Sequence, residues 1–62
     1  MTVTITFTDR YTLHYDSRKV LEFVTRTTSG WLVRRDRAPR LCAGDYLAVG
    51  NELCKVAEVR AE

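Results

Sequence analysis

The chain opens on an unbroken alternation, with Thr2, Thr4, Thr6 and Thr8 on one side and Val3, Ile5 and Phe7 on the other. A period of two in β-branched and aromatic residues predicts a strand with one buried face. Asp9-Arg10 makes a short polar turn, after which Tyr11, Leu13 and Tyr15 alternate with Thr12, His14 and Asp16. The second run therefore folds back on the first as a hairpin.

Asp16-Ser17-Arg18-Lys19 interrupts the pattern, and Val20-Leu21-Glu22-Phe23-Val24 then admits two readings. Asp16 or Ser17 can cap a short helix near 17–25, because positions 20, 21 and 24 share a helical face. Thr25, Thr27 and Thr28 follow at once and fit a helix poorly, which favours a strand over 20–27. Ser29-Gly30 supplies a turn, and Trp31-Leu32-Val33-Arg34-Arg35 reads as the returning strand. Asp36 to Arg40 is a loop holding the single proline, Pro39.

Ala43-Gly44-Asp45 turns into Tyr46-Leu47-Ala48-Val49, and Gly50-Asn51 signals a primed hairpin turn before a last strand over Leu53–Val59. Five to six short strands separated by turn signals predict an all-β chain: a small antiparallel barrel, roll or curled sheet over residues 1–62. The segment Ala43-Gly44-Asp45-Tyr46-Leu47-Ala48-Val49, with Lys55-Val56-Ala57-Glu58-Val59, resembles the Gly-Asp turn and following hairpin of SH3-like barrels. The resemblance covers residues 43–59 and implies a barrel-like topology. It does not carry over peptide binding, since the aromatic residues of that family's peptide groove have no counterpart here.

A chain of 62 residues buries only about 60% of its unfolded surface, which excludes a two-domain enzyme or a long helical bundle. The expected core is Val3, Ile5, Phe7, Tyr11, Leu13, Trp31, Val33, Leu47, Val49, Val56 and Val59. So small a core, in a sheet with open edges, makes a homodimer by edge-strand pairing an expectation. The N-terminus has neither the basic start nor the apolar stretch of a signal peptide, and no window approaches the ~18 apolar residues of a spanning helix. Beginning at Met1 without tag or linker, the chain reads as a complete small product of cytoplasmic location.

Candidate chemistry is sparse. Cys42 and Cys54 are expected as reduced thiols, with a cross-strand disulfide as the alternative, and no metal site or cofactor is expected. His14 shares a strand face with Thr12 and Asp16, the solvent side, and the carboxylates are scattered over turns. No nucleophile-and-base pair and no phosphate-cradling glycine loop stand out, so the chain is read as not an enzyme.

Charge supplies the strongest local feature. The net charge is only +2, yet residues 34–40 hold Arg34, Arg35, Arg37 and Arg40 against Asp36 alone. Arginine forks grip carboxylates and phosphates and stack on flat rings. Trp31 and Tyr46 flank the segment, so an aromatic surface can sit beside the charge, although Trp31 reads first as core. The plainest reading of the loop is a solvated turn.

Three functions are weighed. The first is a binding module that engages or inhibits a larger protein, as small phage and mobile-element accessory proteins do, with Arg34, Arg35, Arg37, Arg40, Trp31 and Tyr46 as the contact. The second is a nucleic-acid binder whose arginines track the backbone. The third is an assembly component acting as an oligomer. No membrane partner is expected.

Overall fold

The computed structural model describes residues 1–62 as six antiparallel strands and one 3-10 turn. The strands are β1 (Thr2–Phe7), β2 (Thr12–Asp16), β3 (Val20–Thr27), β4 (Gly30–Arg37), β5 (Tyr46–Val49) and β6 (Glu52–Ala61). They form one sheet in the order β2-β1-β6-β5-β3-β4. No helix near 17–25 forms, because Leu21 and Phe23 alternate into the core at the period of a strand. No helix is long and apolar enough to cross a membrane.

The sheet curls without closing, since β2 and β4 stand at its two ends and do not meet. Its bend lies in β6, whose first half, Glu52–Lys55, pairs with β5 while Val56–Ala61 pairs with β1. A register shift at Thr6/Phe7, where Glu58 and then Val56 are the partners, leaves Ala57 as the extra residue of a bulge. Bulges sharpen twist and bend a strand, which lets one strand serve both halves.

The core fills the inside of the curl. Val3, Ile5 and Phe7 of β1 meet Leu21 and Phe23 of β3, Leu47 of β5 and Val56 of β6. Ala38 of the 3-10 turn Ala38–Arg40 and Leu41 just after it complete the cluster. Sequence alternation found Val3, Ile5, Phe7, Leu47 and Val56 and left out Leu21, Phe23, Ala38 and Leu41. Leu13, Val49 and Val59 are half-buried against the core rather than inside it.

Tyr11, Trp31 and Val33 are corrections to the expected core: they are 59%, 56% and 65% exposed. Tyr11 lies beyond the end of β1 in the turn, stacked on Phe7 with ring centroids 6.5 Å apart. For the other two the cause is register. Opposed residues of an antiparallel pair share a face, and Phe23 is opposite Arg34 while Trp31 is opposite Arg26 and Val33 opposite Val24. With Phe23 inward, Trp31 and Val33 must point out.

Turn chemistry fixes these registers. Gly50 at φ +59 occupies the first central position of the two-residue β5–β6 turn, as a type II′ turn requires. Gly44 at φ +96 takes the third position of a turn in which Asp45 N–H donates to the Cys42 carbonyl at 3.1 Å. The buried Asp45 carboxylate accepts from Cys42 N–H at 3.1 Å, and Gly44 N–H donates to the Val56 carbonyl at 2.8 Å. This turn and hairpin stand where the sequence placed them.

Candidate functional site

The two outer faces of the curled sheet differ sharply. Over β1, β2 and the end of β6 the outward residues are Thr2, Thr4, Thr6, Thr12, His14, Glu58 and Arg60. His14 Nδ1 lies 3.0 Å from the Thr4 hydroxyl on this wet, solvent-facing side. Over β3, β4, β5 and the start of β6, by contrast, the outward positions hold Val24, Trp31, Val33, Tyr46, Ala48 and Leu53. A contiguous exposed apolar patch with a polar rim marks an interaction site more often than chance exposure does.

The strands place its centre residue by residue. Val24 on β3 is opposite both Val33 on β4 and Tyr46 on β5, so three neighbouring strands bring their apolar side chains to one row. Leu53 of β6, opposite Ala48 and diagonal to Tyr46, adds a fourth apolar side chain, while Lys55 is opposite Tyr46 itself. Together Val24, Trp31, Tyr46 and Leu53 line a shallow hollow of about 380 Å³. Trp31 and Tyr46 meet edge to face with centroids 5.4 Å apart, a geometry worth about 0.5–1.5 kcal/mol beyond burial. The Arg26 guanidinium sits 5.6 Å from the Trp31 ring centroid and holds that ring from the side of β3.

Arg26, Arg35, Arg37 and Lys55 share the outer face with the hollow, Arg26 beside Trp31 and Arg37 at the far end of β4, with Glu22 as the acid among them. Arg35 pairs with Glu22 at 3.4 Å, an exposed contact of small energy. Arg26 and Arg37 have no carboxylate within ion-pair distance.

The four arginines expected in one loop over 34–40, with Trp31 and Tyr46 beside it, therefore do not lie in a loop together. Arg34, Arg35 and Arg37 belong to β4, which runs through Arg37, and only Arg40 lies in the 3-10 turn. Strand alternation splits them: Arg35 and Arg37 join Trp31 and Tyr46 on the outer face. Arg34 turns inward, its guanidinium 5.2 Å from the Phe23 ring centroid and 3.5 Å from Asp36. Arg40 stands apart from the hollow, beyond the end of β4. Val24, Arg26 and Leu53 were missed, and pairing arithmetic across the 28–29 turn would have found the first two, opposite Val33 and Trp31.

Elsewhere the chain offers few reactive groups. Both cysteines are free thiols, Cys42 exposed and Cys54 half-buried. Burial, with a smaller contribution from Tyr11, raises the Tyr15 hydroxyl above the usual phenol value. A backbone hydrogen bond from Arg18 N–H at 2.8 Å, reinforced by the Arg18 side chain, holds Asp16 below the usual carboxylate range. Both groups sit outside the hollow, at strand β2. No family model, no curated protein and no solved structure matches the chain.

Proposed function

We propose that the chain is a non-enzymatic binding module that engages a larger protein through the outer face of β3–β6. The observation that carries this reading is the hollow of Val24, Trp31, Tyr46 and Leu53, with the Arg26 guanidinium against its tryptophan. Tryptophan, tyrosine and arginine are the residue types that dominate protein–protein hot spots, and a hot spot combines such a centre with a polar rim. Two further features favour a protein over nucleic acid. Base stacking needs an open ring face, whereas Arg26 already lies over Trp31 and Tyr46 is half-buried. Tracking a phosphate backbone needs aligned cations, whereas Arg34 and Arg40 leave the face that carries Arg35 and Arg37.

Site-directed photo-cross-linking in the native cell tests the reading. A photoreactive phenylalanine analogue replaces Leu53 in one variant and Thr4, on the wet face, in another. A discrete protein adduct from position 53 and none from position 4 is the expected result. Adducts with nucleic acid, or equal labelling from both positions, overturn the proposal.

A further inference from the structure

The sheet edge beside this face is open. β4 is the last strand in the order and pairs on one side only, over eight residues from Gly30 to Arg37. Every second residue along it therefore turns its N–H and C=O away from β3, with the Arg37 N–H taken up by the Asp36 carboxylate at 2.8 Å. The register with β3 runs unbroken from Val20↔Arg37 to Thr27↔Gly30, and the strand contains no proline. Bulges, prolines, shortness and charged side chains, inward-pointing ones included, are the usual means of blunting an edge. β4 lacks the first three and has the last, with Arg34 and Asp36 on its inward face; the edge at the other end of the sheet, β2, has only five residues.

What β4 does carry is charge: Arg34, Arg35 and Arg37 against Asp36. That charge selects the occupant. A second copy pairing antiparallel through β4 has two long registers that keep inward and outward faces in phase. In one, Val33 meets Val33, and no carboxylate falls opposite any arginine. In the other, Arg34 meets Arg34, which is destabilising for residues directly opposed. An acidic strand meets neither difficulty, and Arg37 is without an acidic partner in the free chain.

We propose that β4 receives an extended acidic segment of the protein partner as an added strand. Main-chain hydrogen bonds to the open edge supply affinity, and alternate side chains supply selectivity. On the outer face the segment's apolar side chains lie against Trp31 and Val33, and its carboxylates meet Arg35 and Arg37. The inference rests on the protein-binding reading and adds to it the mode of binding and the chemistry of the ligand.

The experiment is a display selection of random twelve-residue peptides on the wild-type chain, followed by amide hydrogen exchange with the strongest peptide synthesised. Enriched sequences are expected to alternate Asp or Glu with apolar or aromatic residues. The bound peptide is expected to slow exchange of alternate β4 amides by about tenfold or more. Arg35→Glu with Arg37→Glu is expected to weaken that peptide by about tenfold or more, as added salt does. The exchange measurement uses the unaltered chain, so it decides the matter even where the double reversal unfolds.

Enrichment without acidic bias, no enrichment, or a bound peptide that protects no β4 amide overturns strand addition. A peptide that Leu53→Ser abolishes while β4 exchange stays unchanged overturns the inference and leaves the protein-binding face standing. Salt-sensitive binding of a labelled single-stranded oligonucleotide, with no peptide enriched, overturns both.

Discussion

Val33 and Val56 offer the same substitution in two surroundings. Both are strand valines, and Val→Ala removes the same two methyl groups from each. Val56 is 1% exposed and packed against Ile5, Phe23 and their neighbours in the core. Losing two buried methyls at about 0.8 kcal/mol each, plus the space left behind, gives a destabilisation of about 2–3 kcal/mol. Val33 is 65% exposed, so only about a third of the transfer contribution applies, or about 0.5 kcal/mol. Lower β propensity of alanine acts on both and largely cancels in the comparison.

The difference of about 1.5–2.5 kcal/mol corresponds to roughly 10 °C in melting temperature for a domain this small. Urea unfolding followed by far-ultraviolet circular dichroism measures it, with the slope checked for constancy between variants. Equal losses at the two positions, or a larger one at Val33, would mean that the outer face of β4 is packed in solution. The reasoning behind the binding face would then fail.

Other positions give independent checks. Arg10 is the one non-glycine residue at positive φ, +73, closing the β1–β2 turn with its N–H donated to the Phe7 carbonyl at 2.9 Å. Arg10→Gly should raise stability by about 1 kcal/mol by relieving the left-handed strain, and a loss on urea unfolding contradicts that geometry. The Thr25 hydroxyl is buried without a hydrogen-bond partner, so Thr25→Val should stabilise by about 1 kcal/mol; a midpoint that falls refutes it. Asp16 titrates below the usual carboxylate range when folded, because of the Arg18 backbone and side-chain bonds. Its contribution is therefore fully present above the unfolded carboxyl value of 3.8 and lost as the solution is acidified from there through the lower folded one. Wild type should lose urea stability over that span more steeply than Asp16→Asn, and superimposable pH profiles would remove Asp16 from the account.

The first hairpin, the Gly44-Asp45 turn and the Gly50-Asn51 turn were legible because each is written locally, in period-two alternation or in a glycine that takes positive φ. The strand over 20–27 was legible too, from its threonines. Less local features were not. That β6 serves both halves of the sheet depends on a bulge at Ala57, and nothing in Lys55-Val56-Ala57-Glu58 announces one. Trp31 and Val33 carry a strong buried-strand pattern, but so do Leu21 and Phe23, and the two-residue turn between β3 and β4 sets these pairs on opposite faces. Position in the sheet decides which pair turns inward. β3 lies inside the strand order and is flanked on both sides, while β4 is an edge, so the side chains of β3 reach the core. The candidate site followed from this choice: of the six residues read from the sequence, Trp31, Arg35, Arg37 and Tyr46 share the outer face, Arg34 and Arg40 do not, and Val24, Arg26 and Leu53 join it.

Trp31 is the sole tryptophan, so its fluorescence reports directly on the face that the account depends on. At micromolar concentration the free chain should show red-shifted emission, quenched readily by acrylamide, and unchanged on dilution. Blue-shifted emission shielded from acrylamide would contradict the central claim. If that shielding persisted on dilution, Trp31 would belong to the core after all; if it disappeared, a second copy would be covering the face.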